Sequence, residues 1–238
     1  MIETYLAWAR GPLFIFSFSV MLLGLLRLVL LTNIDVLRMI YRASDKRLPV
    51  RALFAATMRW LFPFKQVPGQ PKNRLWYSIV SMLFHGGLIL TPLFLGAHIL
   101  LWKHGIGIGW ASIPNRGEDI LALFTIATGL VLITGRIANP FSRGISRFQD
   151  FFLPPLLLIP FISGFLVMHP ALNPLSYQRM LLIHVLSGDL IFMMIPFTKL
   201  SHFVLLPASQ LISELGWHFP ADVDENVTST LHKETEKI

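Results

Sequence analysis

An all-α integral membrane protein, a bundle of five transmembrane helices, is the fold class this sequence predicts. Three observations predict it. Of the 238 residues, 54% are apolar and only 14% are charged, where about 25% charged is usual in a soluble domain. The mean hydropathy is +0.62. The apolar residues are also gathered into five stretches, near the roughly 20 residues that cross a bilayer as a helix. The same figures exclude a soluble globule and a disordered chain. A β-barrel is excluded as well, because its strands would alternate apolar and polar residues.

The first stretch covers residues 12–31. It is expected to be a retained helix and not a cleaved signal peptide: no basic cluster leads it and no small-x-small cleavage site follows. Between it and the second span lies a basic loop. Within that loop, residues 49–64 mix Arg51 and Arg59 with Leu53, Phe54, Met58, Trp60, Leu61 and Phe62. This pattern suits an amphipathic helix lying on the lipid surface, or a docking ledge for a cytoplasmic partner. The second, third and fourth spans are expected at residues 75–102, 120–137 and 151–168. The fifth, at residues 180–206, is 27 residues long, so it tilts or projects beyond the bilayer. Residues 208–238 form a polar tail.

The basic residues orient the bundle. Nine Lys and Arg lie in the first loop, and Arg136, Arg143 and Arg147 lie in the third. Lys199, Lys233 and Lys237 lie at the C-terminal end. The opposite side has Arg10, Lys103, Arg116 and Arg179. Fifteen against four puts the N-terminus outside and the C-terminus in the cytoplasm, the split an odd number of spans requires. The formal charge of +7 is thus a topology signal and needs no nucleic acid. Cysteine is absent. That excludes disulfides, Cys-held iron–sulfur clusters, thiol catalysis and covalent haem attachment.

Four of the eight histidines fall inside predicted spans: His85 and His98 on the second, His184 and His202 on the fifth. Intramembrane ionisable groups are costly and mark function. On a straight helix, the 18 residues from His184 to His202 are five turns, placing both rings on one face about 27 Å apart. His85 and His98 are roughly 20 Å apart along an antiparallel helix. The depths pair His85 with His202 towards the inside, and His98 with His184 towards the outside. Haem iron has two axial positions, and neutral imidazole is a common ligand. Two bis-histidine b haems stacked across the bilayer satisfy all four residues as iron ligands. Gly86, Gly87, Gly96, Ala97, Ser187 and Gly188 leave room for a flat macrocycle. On an ideal helix His98 is turned about 140° from His85. Pro92 lies between them and can rephase the helix; His104 is the alternative ligand. A single metal ion would need a carboxylate besides, and Asp189 is the only intramembrane one.

The segment from His184 through Pro196, Phe197, Lys199 and His202 resembles the last span of the gamma subunit of respiratory nitrate reductase. Residues 84–102 resemble that family's second span. Residues 107–123 are more similar to the membrane subunits of Dsr-type and heterodisulfide-reductase-type complexes. The resemblance covers residues 75–207. It implies a di-haem cytochrome b domain over residues 1–207, in a prokaryotic inner membrane. That domain would be the membrane subunit of a respiratory complex and a quinone (quinol) oxidoreductase. It would exchange electrons between menaquinone or ubiquinone on the outer side and an iron–sulfur partner subunit on the cytoplasmic face. The partner must carry the clusters, since this chain has no cysteine. For the quinone pocket, Lys103, Arg116 and His169 are candidates at the outer depth, with Arg179 near them. Glu118 and Asp119 are candidate proton acceptors there; as acidic residues at a helix N-terminus they also suit the helix dipole. The rival readings are a formate dehydrogenase or thiosulfate reductase anchor, and a haem-free anchor or transporter.

Overall fold

A computed structural model describes residues 1–42, 51, 54, 55, 58, 72–216, 229, 230 and 232. Most of the expected amphipathic segment at 49–64, and the tail beyond 216 apart from three residues, lie outside the described residues. Among the described residues the regular structure is all helical. Helix α1 (Ile2–Trp8) passes through a π turn (Ala9–Leu13) into α2 (Phe14–Arg42). Pro12 sits in that turn; it has no N–H for the helical ladder, and the wider turn absorbs the gap. Then come α3 (Lys72–Phe94) and α4 (Gly96–Ile106), followed by α5 (Asn115–Ala138) and the short α6 (Pro140–Ile145). Next are α7 (Phe148–Met168), α8 (Tyr177–Met194) and α9 (His202–Gly216).

Among the described residues, five helical segments are long and apolar enough to cross a membrane: Ile2–Tyr41, Leu75–Phe94, Asn115–Ala138, Phe148–Met168 and Tyr177–Phe197. Leu22, Leu23, Leu26 and Leu30 are exposed, while Ser17, Thr125, Thr128, Ser163 and Asp189 are buried. In water this distribution would be costly. Against lipid it is expected, because hydrocarbon accepts the aliphatic side chains and the polar ones turn inward. The fold is therefore that of a multi-pass membrane protein.

Two sequence expectations change. The second span is not one helix over residues 75–102: it is interrupted at Leu95, whose backbone is extended (φ −69°, ψ 128°). The fifth is not one helix over residues 180–206. It ends at Met194, and two 3₁₀ turns, Ile195–Phe197 and Lys199–Ser201, precede α9. The straight-helix spacing of His184 and His202 does not hold across that interruption. Pro196 sits within it, and in 3₁₀ turns the next hydrogen bonds close over three residues instead of four.

The chain divides into two compact units, Met1–Val20 with Gln66–Met194, and Met21–Lys65 with Ile195–Ile238. In the first unit α3 packs on α5, α5 on α7, α7 on α8, and α8 on α1. Small residues make these approaches close. A Cβ at Gly87 would fall on the Thr125 hydroxyl, and one at Gly129 would meet Leu158 at 2.6 Å and Phe84 at 2.9 Å. Thr125 is fully buried, and its hydroxyl donates to the Leu121 carbonyl at 2.7 Å. At one end of the unit, Arg136 of α5 donates to the Tyr77 hydroxyl of α3 (3.0 Å) and to Ser146 Oγ (2.9 Å). It also lies 3.9 Å from Asp150 of α7. Asn139 caps α6, its side-chain oxygen accepting from the N–H of Phe141 at 3.0 Å. In the second unit, Pro196 is buried and lies against Gly24, where a Cβ would come within 2.5 Å of it.

Candidate functional site

The site is built on the interruption at Leu95. An unbroken helix would pair the N–H groups of residues 96, 97 and 98 with the carbonyls of residues 92, 93 and 94. Here each of those carbonyls has another partner. Pro92 O accepts from His98 Nδ1 at 3.0 Å, Leu93 O from the Trp110 indole N–H at 2.8 Å, and Phe94 O from Ile113 N–H at 3.1 Å. The released N–H of Gly96 donates to Glu118 Oε1 at 2.6 Å. The three freed carbonyls and the Gly96 N–H are thus satisfied by His98 itself, by the connection that follows α4 and by the first turn of α5. That connection starts at Gly107, whose φ of +76° suits glycine, and returns the chain to α5.

The consequence is the placement of His98. Its ring centre lies 6.0 Å from that of His184 on α8, with the two planes 12° apart. His184 Nδ1 donates to Pro160 O on α7 at 2.9 Å. A carbonyl can only accept, so Nδ1 carries the proton in both rings and Nε2 keeps its lone pair. Such an imidazole, with one nitrogen fixed on a backbone carbonyl, is the usual form of a metal-ligating histidine. Neither bond is a local helical one, since the acceptors lie six and 24 residues away.

The 6.0 Å between ring centres is compatible with one metal held between the two histidines. Two imidazoles bonded through Nε2 at about 2 Å on opposite sides of one metal have ring centres roughly 6 Å apart. Among the described residues no three His, Asp or Glu side chains gather to hold a free ion. A metal held by these two histidines alone would need its remaining ligands from a macrocycle of its own. A Cβ at Gly164 would stand 2.9 Å from His184 Cε1 and 3.1 Å from its Nδ1. Only glycine lets α7 come so close to this ring. The sequence reading missed Gly164; its signal was the Ser-Gly pair at 163–164 in mid-span. Of the glycines expected to make room, Gly87 and Gly96 serve packing, against Thr125 and Glu118. Cβ atoms at Gly86 and Gly188 would meet nothing within 4 Å. The hydroxyl of Ser187 bonds the carbonyl of His184 at 2.9 Å.

His85 and His202 belong to different units. Each is exposed, with Nδ1 on a nearby carbonyl: Ser81 O at 2.7 Å and Lys199 O at 2.7 Å. These contacts are four and three residues long, ordinary for a helix, and they say less about ligation than those of His98 and His184.

The outer-depth candidates separate into groups. Asp119 and His169 are brought together, with Oδ2 and Nε2 3.4 Å apart. His169 Nδ1 donates to Phe165 O at 2.8 Å, and its ring stacks on Phe165 at 4.1 Å. With Nδ1 protonated, the Nε2–Oδ2 approach is attractive when a further proton is held between the two groups. Lys103 lines an open groove of about 610 Å³ with Gly96, Ile99, Leu100, Trp110 and Ser112. Arg116 is exposed at the start of α5. Asp189 is a buried carboxyl on α8 at 2% exposure, and its Oδ2 has no hydrogen-bond partner.

No model of a known protein family matches the chain, and no solved structure matches it. A curated protein of Nitratidesulfovibrio vulgaris (strain Hildenborough), whose name states no activity, is 32% identical over 165 residues. The match covers 69% of this chain and 70% of that protein. At that identity and coverage, the chain belongs to the same family as the Nitratidesulfovibrio vulgaris protein.

Proposed function

We propose that this chain is the di-haem b membrane subunit of a respiratory complex, exchanging electrons between the quinone pool and a cytoplasmic iron–sulfur partner. What carries the reading is the His98–His184 pair, with ring centres 6.0 Å apart and both Nδ1 atoms fixed on backbone carbonyls. These two residues would hold the outer haem. His85 and His202 are the ligands for the inner haem, on the sequence pattern alone. A b haem between two imidazoles supplies a reversible one-electron iron couple. The charge distribution supports an N-terminus outside and a C-terminus in the cytoplasm; the prokaryotic inner membrane rests on the family resemblance alone.

The chain's own residues supply the rest. The groove beside α4 offers an apolar floor from Ile99 and Leu100, and hydrogen-bonding groups from Lys103 and Ser112. That combination suits a quinone ring with two carbonyl oxygens. Oxidising a quinol releases two protons. The Asp119–His169 pair is the best-placed acceptor at that depth; Arg116 adds positive charge near the same helix start. The test is to add menaquinol or ubiquinol to the purified chain and follow the optical spectrum. The proposal predicts that b-type bands grow as the quinol is oxidised. A folded protein with no such bands would point instead to a haem-free anchor or transporter subunit.

A further inference from the structure

The interruption of the second span joins Glu118 to His98 through one exchange of hydrogen bonds. In an unbroken helix the Gly96 N–H would bond Pro92 O. Here the N–H goes to Glu118 Oε1 at 2.6 Å, and Pro92 O accepts from His98 Nδ1 at 3.0 Å. The two bonds depend on each other. If Gly96 returned to Pro92, the regular helical path would carry the His98 ring away from that carbonyl, which lies six residues back. The helix would also regain the phase that turns His98 about 140° from His85.

We infer that Glu118 is a positioning residue for the iron ligand His98, holding the break open by keeping the Gly96 N–H away from Pro92 O. The inference rests on the haem reading above. The bond is short and charge-assisted, the strong class of backbone contact. Trp110 and Ile113 occupy the two neighbouring carbonyls, so the carbonyl side of the break is covered by neutral donors. On the N–H side, the Glu118 carboxylate takes the first freed group, Gly96. A ligand's outer hydrogen bond sets its ring orientation and basicity. Glu118 therefore acts on the iron at one remove, through the carbonyl it leaves to His98.

The test uses the full chain in lipid nanodiscs, comparing wild type with Glu118→Gln, Glu118→Ala, Gly96→Pro and the Glu118→Ala/Gly96→Pro double variant. Gln keeps an acceptor oxygen for Gly96. Proline removes the N–H itself and suits a first helical position, and Leu95 before it is already extended. The readouts are haem content, the redox potential of each haem, and the g-values of the low-spin haem signals, which report the angle between the two imidazole planes.

Glu118→Ala and Gly96→Pro should each change the g-values and potential of one haem, or lose that haem, and leave the other unaltered. Glu118→Gln should stay close to wild type. The double variant should go no further than either single one, since both remove the same bond. Should Glu118→Ala not accumulate, Gly96→Pro against Glu118→Gln carries the same comparison. Wild-type signals in Glu118→Ala with both haems present would overturn the inference and leave the haem reading standing. So would an altered Glu118→Ala beside an unaltered Gly96→Pro. A wild-type chain without haem would sink the haem reading, and this inference with it.

Discussion

The environment of His184 is set by an absence of side chain. Gly164 lets the α7 backbone lie against the ring, and the Pro160 carbonyl four residues earlier accepts the hydrogen bond from its Nδ1–H. Gly164→Ala places a methyl 2.9 Å from the imidazole and should displace it. The expected result is one haem per chain instead of two, or a shifted haem signal, read by haemochrome content and low-spin spectra. Gly135→Ala, whose Cβ would meet nothing within 4 Å, should leave both unchanged. At the proton end, Asp119→Asn removes the carboxylate facing His169. It should slow quinol-driven reduction about a hundredfold, a typical loss for general acid–base groups, with haem content intact; an unchanged rate would remove Asp119 from the proposed mechanism. The four histidines drew attention because an imidazole inside a roughly 20-residue apolar run has few reasons to be there; of them, the structure brings together His98 and His184. Gly164 was not legible, because glycine is frequent in membrane helices and its role depends on which ring approaches it.

The elements were legible where length and hydropathy decide them, and less so where a partner decides them. The third and fourth spans, expected at 120–137 and 151–168, are helices over Asn115–Ala138 and Phe148–Met168, each a few residues longer at its polar end. The break at Leu95 could not be placed from Pro92 alone. Its position follows from Trp110, Ile113 and Glu118, which lie 15 or more residues further on and supply the partners that α3 and α4 give up. The end of α8 at Met194 had its signal in Pro196, which the sequence reading took as a family motif within a continuous helix. Two substitutions test the packing at this scale. Gly87→Ala puts a methyl onto the buried Thr125 hydroxyl. It should destabilise the α3–α5 contact by about 1–3 kcal/mol, the usual range for overpacking. Arg136→Ala removes two charge-assisted hydrogen bonds that tie α3 and the α6–α7 connection to α5. It should cost about 2 kcal/mol. Thermal unfolding of each variant in detergent, against wild type, gives both values.

For the molecule as a whole, the lipid-facing leucines and the inward serines, threonines and Asp189 show which solvent the fold was built for. The proposed orientation rests on the count of fifteen basic residues on one side against four on the other. A fluorescent reporter fused at the C-terminus should be active in the cytoplasm, and an export-dependent reporter at the N-terminus should be active outside; the reverse pattern would contradict the topology. The amphipathic segment at 49–64 was expected as a lipid-surface helix or a partner ledge. It lies mostly outside the described residues.

Under the proposed function, His98 and His184 ligate one haem and the chain holds two. A pyridine haemochrome assay on the purified wild type, on His98→Ala and His184→Ala, and on the double variant tests it most directly. Two b haems per chain are expected in the wild type. One is expected in each single variant and one in the double, because both histidines serve the same iron. No haem in a folded wild-type preparation, or a double variant that loses more than either single one, would contradict the account.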